Sequence, residues 1–127
     1  MKKRVLVADD DPGICDALSL ILMDAGYDVT TTLDGRSVLD LNSDLPDLIL
    51  LDIRMSGIDG REVCKQLKSQ SHTTHIPVVM ISANRDTPVI AGEVGAEGFV
   101  MKPFEMDDLL AVVEEHAGKC SGFRVEG

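Results

Sequence analysis

The sequence has no tryptophan, one tyrosine and three phenylalanines in 127 residues, so its interior cannot rest on aromatic packing and must be filled by Leu, Ile, Val, Met and Ala. It is also poor in positive charge, with 12 Lys and Arg against 22 Asp and Glu and a formal net charge of -10. That balance argues against direct binding to nucleic acid, whose phosphates are gripped by clustered Lys and Arg. An acidic surface suits protein partners and metal cations instead. The three cysteines, Cys15, Cys64 and Cys120, are odd in number and unrelated in spacing. They match neither a disulfide framework nor a zinc motif and read as buried or idle thiols. The basic start Met1-Lys2-Lys3-Arg4 is followed by an apolar stretch that stops at Asp9, too early for a secretory leader. The expectation is a cytoplasmic protein without a membrane segment.

What is present alternates. Repeats and low-complexity tracts are missing, and the length suits one compact domain. Val5-Leu6-Val7-Ala8 and Leu48-Ile49-Leu50-Leu51 are continuous apolar runs, each closed by an acid, as in strands buried on both faces. After the first, Ile14, Leu18, Ile21, Leu22 and Ala25 recur at helical spacing, with Asp11 and Pro12 as a start and Gly26 as a stop. Tyr27 to Thr31 alternates as an edge strand does, and a second helix is expected within Gly35 to Asn42. The Gly57 to Gly60 turn leads to a helix over Arg61 to Ser69. Ser69 to Ile76, carrying His72 and His75 as solvated residues, reads as an extended loop. Pro77 to Ile81 is the next strand, ending at Ser82; a short helix over Pro88 to Val94 and a strand over Phe99 to Met101 follow. A last helix places Met106, Leu109, Leu110, Val113 and Ala117 on one face. Such alternation builds βαβ units and a parallel sheet covered by helices on both faces.

In open sheets of this type ligands bind at the carboxyl ends of the strands. Here those ends carry Asp9-Asp10, Asp52, Ser82 and Lys102-Pro103. Carboxylates gathered at one edge must hold a proton or bind a cation. Mg²⁺ takes oxygen ligands, usually one or two carboxylates with phosphate oxygens and waters, and Asp10 and Asp52 fit as direct ligands. A hydroxyl and an ammonium beside them supply a hydrogen-bond donor and a compact positive charge for a phosphoryl group, leaving Asp52 as a nucleophile. Taken alone, Asp9, Asp10 and Asp11 would read as a helix N-cap cluster. That reading is kept for Asp11.

Asp9-Asp10 after one apolar strand, Asp52 after another, Ser82-Ala83 after a third, and Gly95-Ala96 leading through Phe99 to Lys102-Pro103-Phe104 resemble the response-regulator receiver domains of two-component signalling. The resemblance extends to about residue 117. It implies a doubly wound (βα)5, flavodoxin-like fold with a five-stranded parallel sheet of order 2-1-3-4-5. Residues 1–118 would form the receiver domain and 119–127 a flexible tail or linker stub. By the same resemblance Asp52 is the phosphoacceptor, Asp10 a direct Mg²⁺ ligand, Asp9 a ligand through water, and the Arg54 backbone carbonyl a further ligand, with Mn²⁺ able to substitute. Ser82 and Lys102 would contact the phosphoryl group, and the Lys102–Pro103 peptide would be cis. Ser82 and Phe99 would form a switch, Phe99 turning inward on phosphorylation and changing the surface of helix four, strand five and helix five.

The implied partners are a histidine kinase or phosphotransfer protein, docking mainly around Ile14 to Leu22, and a downstream effector or a C-terminal output domain. The resemblance implies a domain that phosphorylates and dephosphorylates itself and is not a turnover enzyme on external substrates. Two departures stand out: Ser56 where the family often has proline, and a Ser82 to Lys102 interval about two residues short, which predicts a short helix four. Three other readings remain. A phosphatase with an aspartate nucleophile would need an acid just after Asp52, where Arg54 stands. A flavin-binding module would need a Ser, Thr and Gly-rich phosphate loop after the first strand. A docking module would never turn over phosphate. Arg54 and Asn84, over the mouth of the site, are expected to set phosphate lifetime.

Overall fold

The computed structural model describes residues 2–55 and 57–118. Its order is β1 (Arg4–Ala8), α1 (Pro12–Asp24), β2 (Asp28–Thr32), α2 (Gly35–Leu39), β3 (Leu48–Asp52), α3 (Gly60–Ser69), β4 (Val78–Ser82), α4 (Thr87–Val94), β5 (Gly98–Met101) and α5 (Met106–Ala117). The five strands are parallel in the order β2-β1-β3-β4-β5, the expected doubly wound arrangement. The expected tail over 119–127, Cys120 and Ser56 lie outside the described residues.

Alternation along the buried strands divides the core into two layers. Val5, Val7, Leu48, Leu50, Val79 and Ile81 pack with Leu18 and Leu22 of α1 and Leu109 and Val113 of α5. Leu6, Ala8, Ile49, Leu51, Val78 and Met80 face the other way, onto Val38 of α2, Val63 and Leu67 of α3, and Ile90 and Val94 of α4. Every residue of β3 and of β4 is buried, which is why both read as unbroken apolar runs. β2 is an edge strand with partial burial.

Local chemistry sets the ends of the elements. Asp11 caps α1 by accepting from the Gly13 and Ile14 amides at 2.9 and 3.4 Å, with Pro12 in the first turn. Gly26 ends the segment at φ 99°, a left-handed conformation open to glycine at no steric cost. α4 has eight residues, the shortness expected from the compressed interval.

Four expectations need correction. Ser69 to Ile76 is a compact turn, because the Thr73 and Thr74 hydroxyls donate to the Leu67 and Lys68 carbonyls at 2.8 and 2.9 Å, ending α3 with local hydrogen bonds. Within it, the His72 ring nitrogen Nε2 lies 2.9 Å from the Leu41 carbonyl, so that side chain is tied down as well as solvated. The core is not wholly aliphatic, since Tyr27 is 2% exposed with its hydroxyl donating to the Gly118 carbonyl at 2.9 Å. Met106 stands at the first turn of α5 beyond the edge of the packed layer and is 53% exposed.

Candidate functional site

The register of the sheet brings the chemistry together. Ala8 pairs with Leu51, so Asp9, the next residue, stands level with Asp52. Asp52 pairs with Ile81, placing Ser82 just beyond it, and Ser82 pairs with Met101. The Lys102 amide then donates to the Ser82 carbonyl at 2.9 Å, extending the β4–β5 ladder past the last strand residue. The Lys102–Pro103 peptide is cis.

Asp9 and Asp52 are buried, at 2% and 7% exposure, whereas Asp10 is exposed. One carboxylate oxygen from each of Asp9, Asp10 and Asp52 lies within 4.8 Å of the others. Lys102 reaches in from β5, its ammonium 2.9 Å from Asp9 Oδ2 and 3.8 Å from Asp52 Oδ2. Asp9 Oδ1 accepts from the Asp11 amide at 2.9 Å, which ties the carboxylate to the turn leading into α1. The free thiol of Cys15 donates to the Asp9 carbonyl at 3.2 Å from beneath.

Burial raises the Asp52 carboxyl to about 6, and the neighbouring Asp9 charge adds to the rise. The Lys102 ammonium and a hydrogen bond from the Arg54 amide pull the other way without cancelling it. A group held so far above the ordinary carboxylate range is under-compensated. A hard divalent cation meets that need: an all-oxygen donor set, partly buried and open on the Asp10 side, suits Mg²⁺ with its retained waters.

In front of Asp52 opens a cleft of about 490 Å³ lined by Asp52, Arg54, Ser82, Ala83, Asn84 and Lys102. The Ser82 hydroxyl accepts from the Asn84 amide at 3.0 Å, leaving its proton available to an acceptor in the cleft. The Asn84 side chain accepts from the Asp86 amide at 2.8 Å, and the Asn84 carbonyl accepts from the Thr87 hydroxyl, which joins the cleft wall to α4.

Phe99 is not at the cleft. It stands on the edge strand β5, 40% exposed, not among the buried core residues. Arg54 and Met55 pair with Asp59 and Ile58 in a small antiparallel hairpin that the spacing of apolar residues does not reveal. The first residue of the following helix, Gly60, lies against the backbone of Asp52, a contact for which the Asp59-Gly60 pair closing the loop is the nearest sequence sign.

Comparison with known proteins agrees with this architecture. Residues 5–114 match the family model of the response regulator receiver domain. The chain is 40% identical over 116 residues to the DNA-binding response regulator MtrA of Mycolicibacterium smegmatis, covering 89% of this chain and 50% of that protein. It is 41% identical over 113 residues to the DNA-binding dual master transcriptional regulator RpaA of Synechocystis, covering 87% of this chain and 47% of that one. Among solved structures, a putative response regulator from Chloroflexus aurantiacus superposes with a TM-score of 0.88 at 29% identity, over 94% of this chain and 100% of that one. The chain belongs to the response regulator receiver domains of two-component systems. It spans about half the length of the curated relatives it matches. No helix among the described residues is long and apolar enough to cross a membrane.

Proposed function

We propose that this domain is a phosphorylation-activated switch in which Asp52 accepts a phosphoryl group from a histidine kinase or phosphotransfer protein. The observation that carries the reading is a buried carboxylate at the end of a central strand, crowded by Asp9 and Asp10, with Lys102 beside it and an open cleft in front. The ionised Asp52 carboxylate attacks phosphorus in line with the leaving nitrogen; the donor's N–P bond breaks as the O–P bond of an aspartyl phosphate forms. Lys102 holds one peripheral oxygen by charge, and the Ser82 hydroxyl donates to another. Asp10, Asp52 and the Arg54 carbonyl would hold Mg²⁺ directly, Asp9 through water, with Mn²⁺ able to serve in its place. The bound ion supplies neutralisation of the carboxylates and of the phosphoryl oxygens.

The switch would run through Ser82. Drawn toward the phosphoryl group, it vacates space on β4 into which Phe99 turns from its exposed position, altering the α4–β5–α5 surface. The domain spans residues 1–118 in this reading and is no turnover enzyme on external substrates. DNA binding, which the names of the longer relatives carry, would belong to an output region outside the receiver, in keeping with the acidic charge of this chain. The test is intact mass after incubation with Mg²⁺ and acetyl phosphate. One added phosphoryl group is expected on the wild-type protein, and none on Asp52→Ala or in chelator. If neither acetyl phosphate nor beryllium fluoride reacts with the wild type, a docking module that never carries phosphate takes its place.

A further inference from the structure

Gly60 opens α3, is buried, and donates its amide to the Ile53 carbonyl at 2.7 Å. A methyl group on it would overlap the Asp52 carbonyl oxygen and stand 2.9 Å from Ile53 Cα and 3.0 Å from the Asp52 carbonyl carbon. All three are backbone atoms at the end of the phosphoacceptor strand or in the residue just after it, and cannot swing aside as a side chain would. Gly35 makes a contrast. A methyl there would meet only side-chain atoms at such range, the Ile58 Cγ2 methyl at 2.7 Å and the flexible tip of Met55, Cε, at 2.8 Å.

The Asp52–Ile53 peptide leads directly to Arg54, whose amide hydrogen-bonds Asp52 and whose carbonyl follows one peptide later. α3 is firmly seated, with Asp59 capping its Arg61 amide at 2.8 Å and Val63, Cys64 and Leu67 buried beneath. A rigid helix end therefore bears on the short stretch of backbone that aims the Asp52 carboxylate.

We infer that Gly60 is a positioning residue for the cation site: its missing side chain lets the first turn of α3 lie flat on the Asp52–Ile53 peptide, which sets the direction of the Asp52 carboxylate and of the Arg54 carbonyl. The inference rests on the reading of this edge as a Mg²⁺ site. Groups that orient metal ligands from behind typically change affinity by 10-fold to 100-fold when disturbed.

Gly60→Ala and Gly35→Ala should be compared with wild type by calorimetric titration with Mg²⁺ alone and by amide exchange at Arg54 in chelator. Gly60→Ala is expected to weaken Mg²⁺ binding about tenfold and to speed Arg54 exchange, while Gly35→Ala stays within about twofold on both. Equal weakening by the two variants, or unchanged Mg²⁺ affinity in Gly60→Ala alongside a lower Tm, would overturn the inference. So would a Gly60→Ala protein that stays unfolded in saturating Mg²⁺, since the contact would then support the whole domain. If wild type binds no Mg²⁺, the cation reading itself fails; Arg54 exchange in chelator still judges whether Gly60 holds that backbone.

Discussion

The two ends of the sheet handle charge in opposite ways. At the amino edge, Lys68 donates to the Ile76 carbonyl and to Glu97 Oε2, each at 2.8 Å, and to the Thr74 carbonyl at 3.3 Å. Glu97 returns its other oxygen to the Val78 amide at 2.7 Å, so the pair closes on itself and on the backbone that starts β4. At the carboxyl edge, three carboxylates gather with Lys102 against two of them, Asp9 and Asp52, and Asp52 is pushed to about 6. Matched charges fasten chain segments together. Charges left unmatched in a buried place are a standing cost that a ligand can relieve, and perturbed groups collect at functional sites for that reason.

Breaking the mismatch should give the largest effect on stability. Asp52→Asn removes the buried charge and keeps the shape, so in chelator at pH 7.5 it should stabilise the fold, with a ceiling of about 3 kcal/mol from the distance between 3.8 and about 6. The sign follows from a folded pKa above the unfolded one: this contribution is fully present below pH 3.8 and is lost as pH rises through about 6. Urea unfolding of wild type and Asp52→Asn across pH 4 to 8 should show the gap opening over that window and shrinking when Mg²⁺ is added. A gap independent of pH would mean that Asp52 is already neutralised by its neighbours.

The matched edge should respond the other way. Lys68→Met leaves Glu97 without its ammonium and two carbonyls without a donor, and should cost about 1–2 kcal/mol in denaturant unfolding while leaving phosphoryl uptake unchanged. The smallest effect is expected from Arg54→Ala. Its exposed side chain stands over the cleft and screens or steers water, so the phosphoryl lifetime should shift by a few-fold with little change in stability. An unchanged dephosphorylation rate would remove Arg54 from the account.

The legible part of this protein was what periodicity writes. Strands buried on both faces appear as Val5 to Ala8 and Leu48 to Leu51, and their acidic stops already put Asp9 and Asp52 at one edge. The illegible part is chemistry between neighbours. The threonine hydroxyls that turn Ser69–Ile76 back on itself compete with no pattern of apolar residues, and a hairpin of two-residue strands is too short to have one. The exposures of Phe99 and Met106 depend on β5 being an edge strand and on where α5 begins, which are facts of assembly. Gly60 looked like a turn residue because its role lies in what its Cα touches.

Tyr27 pins the other end of the story. Its hydroxyl holds the Gly118 carbonyl just after α5, and Gly118 lies near Lys3 ahead of β1, so the chain passes residue 118 beside the amino ends of the strands. The cleft sits at their carboxyl ends, a five-residue strand away, roughly 16 Å along β1. Gly118, the last described residue, therefore lies on the far side of the sheet from the cleft, and any coupling between that end and the proposed phosphoacceptor would have to run through the body of the domain.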